Sequence, residues 1–454
     1  MSSEFLSREP VFNPTAFVDR VRETHWTAEK LGGQIPQNCN FIGEPRIGRT
    51  SFLHHLYRKK VGLPPGIIGL YVWVQLAALP EQTSQTFWPW LVTQLRQEMV
   101  RAGLEGTKTA VPTDPRLAYN TLEKEIESML DKTSVRRLIF VIDDFDLLMP
   151  GIGRRDLDWL RALATRYTKS LAFVIASTRP LVHLAEIHMP ELGISPLTNL
   201  FHDYWLTLLS VEEAEALCQL AARQQGTELD AASLAFLLAD AGRHPDLLKV
   251  ACEYLFRASE SNQPNPLETV RSELRLDGHV DWLCRQLWQR RTEGEQAALL
   301  ALARGESQTI DDRIMAARLQ RHLGLVEQRG GHTAVFADVF RDWLKRQTAV
   351  SESPTVPDSP TTQFEHRPSQ RLVMINGRAI SLTPLDNRLL AYLLNHVGEV
   401  CTTEVLLAHV WSAGKTPSVV EKGINRLRAR LEEDPKRPRF ILSARGEGYI
   451  LRIP

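Results

Sequence analysis

The 454-residue chain has no run approaching the ~20 consecutive apolar residues that a membrane-spanning helix requires. A helical integral membrane protein is therefore excluded, and no membrane partner is expected. Cysteine is scarce: five residues, Cys39, Cys218, Cys252, Cys284 and Cys401, lie far apart with no CxxC and no clustered histidine. That scarcity excludes a disulfide framework and a zinc site, and points to a reducing, cytoplasmic setting. The first residues, MSSEFLSREPVFNP, have no basic region followed by an apolar core, so a secretory leader is not expected. No repeat of 20–50 residues is visible. Net charge is lacking too, with 54 Lys+Arg against 54 Asp+Glu. This balance hides an asymmetry. Residues 366–454 hold 14 Lys+Arg against 8 Asp+Glu, a net of +6, so the remainder carries −6. One end is suited to meet an anion.

A chain of this length is too long for one core, and two to four domains are expected. Residues 348–363, TAVSESPTVPDSPTTQ, are rich in Ser, Thr and Pro and poor in large apolar side chains. They read as a tether. Before it, short apolar runs rich in β-branched residues (IIGLYVWVQL, RRLIFVIDDFD, LAFVIASTRP) alternate with helical stretches. That alternation predicts an α/β fold with a parallel sheet covered on both faces. From about Leu206 the strands stop, and SVEEAEALCQLAARQQ and DAASLAFLLADAG read as amphipathic helices.

The segment FIGEPRIGRTSFL places Gly43 and Gly48 at the spacing of G-x-x-x-x-G-K-[ST], with Arg49 where lysine belongs. A glycine-rich turn between strand and helix aims backbone N–H groups and a helix dipole at one point, a cradle for phosphate that does not depend on residue 49. Thr50, followed by Ser51, supplies a hydroxyl suited to Mg²⁺. Arg49 keeps the charge but replaces a compact ammonium with a planar fork of different reach. In LIFVIDDFD an apolar strand delivers Asp143 and Asp144 to the sheet's carboxyl edge. Asp143 would hold Mg²⁺ through water, and Asp144 could polarise an attacking water. A strand ending in a polar turn is the alternative. The next strand ends in Ser177-Thr178-Arg179, where Arg179 either meets a terminal phosphate or is a surface residue before Pro180. Ligands of open α/β sheets bind along this edge.

FVDRVRETHW, NCNFIGEPRIGRTSFLHHL, VIDDFD, ASTR and AGRHPDLLKVACEYL together resemble the STAND branch of AAA-related P-loop ATPases. The resemblance implies ATP or ADP with Mg²⁺ as cofactors. It assigns Val18, Asp19 and Arg20 to the adenine pocket, with Asp19 where the family has glycine, and makes His244 and Pro245 lid contacts. By chemistry alone Pro245 is a helix-start proline. EGEQAALLALARGE and RLQRHLGLVEQRGGHTAVFADVFRDWL, turning at Gly330-Gly331, resemble the winged helix that follows the lid in that family. No DNA contact is expected from it. The implied division is a P-loop ATPase domain at 1–204, a helical lid at 205–278, an internal winged helix at 279–347 and a linker at 348–365.

Residues 366–454 form the last domain. Asn376-Gly377 between two apolar runs predicts a hairpin. Leu389, Leu390, Leu393 and Leu394 make a helical core stripe. A later helix starts with Thr416 as N-cap and Pro417 at its first position. Along it Val420, Ile424, Leu427 and Leu431 share one face, opposite Lys422, Asn425, Arg426 and Arg428. The chain closes with a hairpin at Gly446-Glu447-Gly448. This arrangement reads as a winged helix-turn-helix. LTPLDNRLLAYLLNH, HVW, VEKGINRLRARLE and ARGEGYIL resemble the OmpR/PhoB-type DNA-binding domain nearly end to end. By position, Ser418, Val419, Lys422 and Arg426 would face the major groove. Asn425 and Arg428 would lie nearer phosphates, and Arg445 on the wing would probe the minor groove. A solvated helix face is the alternative for each arginine. Gly423 costs this helix about 1 kcal/mol relative to Ala, and permits close approach to DNA or weakens the domain. No receiver domain with a phosphorylatable aspartate precedes it.

The expected protein is a nucleotide-switched, sequence-specific DNA-binding regulator, in which the ATP or ADP state controls oligomer formation or release of the tethered winged helix. Double-stranded DNA and a second copy of the chain are the expected partners, with RNA polymerase a further candidate. The alternative is a STAND-type oligomerising sensor in defence or mobile-element control whose DNA domain only localises it.

Overall fold

The computed structural model describes residues 10–352 except 14–15, 19, 106, 108, 190–197, 262 and 307–309. In the C-terminal part it describes 364–367, 372–375, 378–394, 401–410, 418–432, 438, 440–444 and 448–451. The chain divides into two units at 352/353, and each is considered by itself.

Unit one opens with α1 (Val21–Gly32), β1 (Asn38–Gly43), α2 (Arg49–Lys59), β2 (Ile68–Gln75), α3 (Ser84–Arg101), α4 (Pro115–Lys132) and β3 (Val135–Asp143). Then come α5 (Arg154–Arg166), β4 (Leu171–Ser177), α6 (Leu181–His188) and β5 (Phe201–Leu206). All five strands are parallel, in the order β2-β3-β4-β1-β5. Period-two alternation sends Phe41, Tyr71, Ile139, Val141 and Val174 into one core. The intervening Val72, Val74, Phe140, Ile142 and Ile175 enter a second core on the other face. Both faces are covered, so the strands read as unbroken apolar runs.

The edge strand β5 was not expected. Its residues are mostly half-exposed or exposed, so it lacks the run that betrays a central strand. It carries the sheet to Leu206, past the expected boundary at 204.

Helices follow: α7 (Val211–Gln224), α8 (Ala231–Asp240), α9 (Pro245–Glu260), α10 (Pro266–Leu276), α11 (Gly278–Gln289), α12 (Glu293–Arg304) and α13 (Ile310–Arg318). Sequence sets their starts. Ser210 with Glu213, and Thr292 with Glu295, form reciprocal capping boxes at α7 and α12. Strands β6 (Val326–Arg329) and β7 (His332–Val335) then pair antiparallel through Gly330 and Gly331, both at positive φ, as the Gly-Gly hairpin predicted. α14 (Asp338–Glu352) closes the unit and runs into the expected tether.

Unit two contains β8 (Phe364–Arg367), β9 (Leu372–Ile375), β10 (Arg378–Ser381), α15 (Pro384–Leu394), β11 (Cys401–Thr402), α16 (Thr403–Val410), α17 (Ser418–Leu431), β12 (Ile441–Ala444) and β13 (Gly448–Leu451). β8 starts inside the segment read as linker, since Phe364 opens a strand that pairs with β9. The antiparallel sheet β10-β9-β8 leads into the helices, and the sheet β11-β13-β12 ends the unit. Leu389, Leu390, Leu393, Val420, Ile424, Leu427 and Leu431 are all in its core, as their helical spacing predicted. The expected turn at Asn376-Gly377 and the cap at Thr416-Pro417 lie outside the described residues.

No helix among the described residues is long and apolar enough to cross a membrane. The five cysteines are all buried, and none is in a disulfide.

Candidate functional site

The loop 44–48 joins β1 to α2 at the sheet's carboxyl edge. Its two glycines serve different purposes. A Cβ at Gly43 would stand 2.7 Å from Ile47 Cγ2 and 3.2 Å from the Leu206 carbonyl, so only glycine lets the loop fold back on β5. Gly48 caps α2 at φ 97°, a left-handed conformation that glycine adopts without strain. The first-turn amides of α2 have no partner within the helix and, with its dipole, face an adjoining cavity. Substituting Gly43 with Ala should therefore cost about 1–3 kcal/mol of stability through overpacking, read by urea denaturation, whereas Gly48→Ala should cost less and act mainly on the loop.

The cavity is about 380 Å³. Val18, Arg20, Gly48, Arg49, Thr50, Ser51, Asp144 and Pro245 all line it, so most of the expected nucleotide contacts converge in one place. Its apolar side comes from Val11, Phe17, Leu209 and Leu217. Phe17 stacks on His55 of α2 at 4.4 Å. Ser51 Oγ accepts the Val11 amide at 2.9 Å, so this hydroxyl holds the N-terminal segment against α2. Arg20 lines the cavity, but its guanidinium is engaged within the protein: it donates to Ile47 O at 2.6 Å, Thr207 O at 3.0 Å and Glu23 Oε1 at 3.3 Å.

Asp143 ends β3 fully buried, and neither carboxylate oxygen has a hydrogen-bond partner. Burial pushes its carboxyl up from 3.8 to about 6, helped by Asp144 and opposed by the Thr50 hydroxyl and Arg49. Thr50 thus stabilises the charge without reaching bonding geometry. A buried, orphaned carboxylate beside a hydroxyl is a set of hard oxygen donors that fits a divalent cation such as Mg²⁺. Asp144 sits at φ 55° and reaches the cavity. Burial raises its carboxyl also, while Arg49 lowers it.

Arg49 lines the cavity and makes one long ion pair without a hydrogen bond. Its Nη1 lies 3.9 Å from Asp146 Oδ2, directed at the β3–β4 corner. Asp146 is fixed in turn by Thr178, whose backbone amide and hydroxyl donate to it at 2.9 and 2.8 Å. Ser177 donates to Asn40 Oδ1 at 2.7 Å and to the Arg179 carbonyl. The Arg179 side chain itself is exposed and is not among those lining the cavity. His244 is also outside the lining. It is 1% exposed, packs towards Phe336 with ring centroids 6.2 Å apart, and burial pushes its pKa down to about 4. It is a neutral wedge behind the loop, and Pro245 alone of the pair faces the cavity. Asp19 lies outside the described residues.

Five side chains escaped the sequence reading. Arg46, Asp246 and Lys249 line the cavity. Glu44 pairs with Arg291 at 2.7 Å, each side chain 5% exposed, joining the loop to the turn between α11 and α12. Their sequence separation, 247 residues for the last pair, left no local signal.

In unit two, α17 carries Lys422 and Asn425 exposed on the face opposite its core stripe, and Val419 half-buried beside it. Arg426 is exposed on the same helix and is also paired within its own domain. Its Nε donates at 2.7 Å to Asp386 of α15, a carboxylate 0% exposed. Arg430 reaches the same group at 3.4 Å. Arg428 is likewise engaged, donating to the Ile441 carbonyl at 2.9 Å and standing over Tyr449. These three arginines bond α17 to its own domain. Gly423 is buried, so it offers no close approach to DNA. The side chain of Ser418 and all of Arg445 lie outside the described residues.

Residues 377–451 match the family of transcriptional regulatory proteins, C-terminal domain. Unit two is an OmpR/PhoB-type winged helix. The chain is 35% identical over 122 residues to the probable transcriptional regulator ycf27 of Pyropia yezoensis, covering 25% of this chain and 49% of that one. It is 36% identical over 115 residues to the KDP operon transcriptional regulatory protein KdpE of Escherichia coli, covering 23% and 47%. The chain thus spans about half the length of these relatives. Unit one resembles a Walker-type ATPase of Pyrococcus abyssi with a TM-score of 0.50 at 13% identity, over 75% of this chain and 99% of that one. That likeness is one of fold: a five-stranded parallel sheet covered by helices, with the OmpR/PhoB-type domain following it.

Proposed function

We propose that this chain is a nucleotide-switched, sequence-specific DNA-binding transcriptional regulator. ATP or ADP with Mg²⁺ would occupy the cavity of unit one, and the bound state would govern self-association or release of the OmpR/PhoB-type domain. The observation that carries the reading is Asp143. A fully buried carboxylate without a partner is costly, and a cation-binding role beside Thr50 accounts for its retention. The metal would supply charge neutralisation at the phosphates. The amides of α2, Thr50 and the cations of the wall would bind and orient the nucleotide, with Val18 and Pro245 near the base. Lys422 and Asn425 would meet DNA, and phosphate contacts should make binding fall steeply with salt. Footprinting of full-length protein in Mg²⁺ with ATP, with ADP and with neither tests the switch. A protected sequence that depends on the nucleotide is expected; protection indifferent to it would overturn the coupling.

Turnover follows from Arg49. A guanidinium drawn towards Asp146 holds charge near the site but not where an ammonium would track the moving phosphoryl group. Losing such a contact costs ~10²–10³ in rate. Slow hydrolysis suits a timer, and Arg49→Lys should raise turnover at least about tenfold with little change in ATP affinity. A wild-type rate of several per second, or an unmoved rate in the variant, would refute this account.

A further inference from the structure

A second cavity, of about 960 Å³, opens in the helical region where α7 and α9 end and α8 and α10 begin. Its size is that of a small-molecule site. Leu229, Leu255, Phe256 and Leu267 form its apolar part, with Leu255 and Phe256 only 4% and 7% exposed. Glu228, Asp230, Glu260 and Glu268 are its charged side chains, all of them exposed, and no Lys, Arg or His is among the described residues that line it. Two helix starts and two helix ends meet here, so their half-charges offset one another, whereas the four carboxylates add up. Two of the four serve their own helices. Asp230 caps α8 by accepting the Ser233 amide at 2.7 Å. Glu268 lies in the first turn of α10 and accepts Arg271 Nη1 at 2.8 Å. The other two are placed differently. Glu260 is the last residue of α9, where the negative end of the helix disfavours a carboxylate, and Glu228 lies in the turn between α7 and α8.

We propose that this cavity binds a small organic cation with an apolar body, such as a hydrophobic ammonium or phosphonium. The apolar body would cover Leu229, Leu255, Phe256 and Leu267, and the positive charge would face Glu228 and Glu260. Removing apolar surface from water supplies the affinity, and the carboxylates select the sign of the charge. A polyamine with no apolar body satisfies only the rim, and an apolar anion only the floor. No residue lines both this cavity and the first, although α9 reaches each, with Pro245 at its start and Glu260 at its end. The proposal therefore stands apart from the nucleotide reading.

The test is calorimetric titration of the full-length protein with tetraphenylphosphonium, tetraphenylborate and spermidine. The first two share a shape and differ in the sign of their charge; spermidine is a cation with little apolar body. Tetraphenylphosphonium should bind at one saturable site, at least about tenfold more tightly than either of the others. Combining Glu228→Gln with Glu260→Gln, at two exposed positions, should weaken it about 3- to 10-fold while leaving thermal unfolding unchanged. Equal binding of tetraphenylborate would make the cavity merely apolar, and equal binding of spermidine would make it merely an acidic surface. Either result overturns the proposal. So does the absence of saturable tetraphenylphosphonium binding, or an affinity that the double variant leaves unmoved.

Discussion

Asp143→Asn is expected to make the nucleotide-free protein more stable above pH 6 and, at the same time, to abolish the Mg²⁺ dependence of nucleotide binding. The two effects have one cause. Asp143 is fully buried with no hydrogen-bond partner, so its ionised form is disfavoured in the folded state, and its pKa moves from 3.8 to about 6. The unfolded chain releases this proton near pH 4, while the folded chain keeps it until about pH 6. Between those values the native state binds more protons, so stability falls as pH rises and stays lower above pH 6. The displacement corresponds to about 3 kcal/mol. Asparagine carries no charge and should recover much of that, read as a urea midpoint that no longer declines between pH 4 and 6. The same change removes the anionic ligand, so calorimetry should find ATP affinity indifferent to Mg²⁺. A variant that is less stable at pH 7, or that still responds to Mg²⁺, would refute the assignment.

Arg426→Ala is expected to destabilise the C-terminal domain by about 2–3 kcal/mol. Removing one partner of a buried ion pair costs about 3–5 kcal/mol. The figure is reduced here because Arg426 is 41% exposed and Arg430 and Thr383 remain to Asp386. Faster hydrogen exchange across α17 in the full-length protein is the readout, and a double-mutant cycle with Asp386→Asn should show coupling above about 0.5 kcal/mol. Lys422→Ala provides the contrast: weaker DNA binding with unchanged exchange. If Arg426→Ala leaves exchange untouched and weakens only DNA binding, Arg426 reads DNA and its pairing with Asp386 is incidental.

The central strands were legible because a strand buried on both faces must be apolar throughout; LIFVI and LAFVIA announced themselves that way. β5 was not, because an edge strand needs neither. The same contrast holds within the site. Gly43, Gly48, Thr50 and Asp143 stand at fixed offsets along consecutive loops and strand ends, where backbone geometry dictates the residue type. Arg46 and Lys249, 203 residues apart, line one cavity only because the chain folds back on itself. In α17, the spacing of Val420, Ile424, Leu427 and Leu431 fixed the buried face. It said nothing of Asp386, 40 residues before Arg426, which gives that exposed arginine a partner inside its own domain.

Sequence by itself therefore determined the two-part architecture, the glycine-rich loop with its odd arginine, and the DNA-binding type of the last domain. These are set by periodicity and by short-range backbone rules, each confined to a few consecutive residues. Only the tertiary structure decided which charges are spent and which remain available. Arg20 and Arg426 are consumed by partners from distant elements, Arg49 is drawn to Asp146, and Asp143 is left without a bond. A side chain's charge is local to its residue, but its partner and its access to water are fixed by packing between elements far apart in the chain.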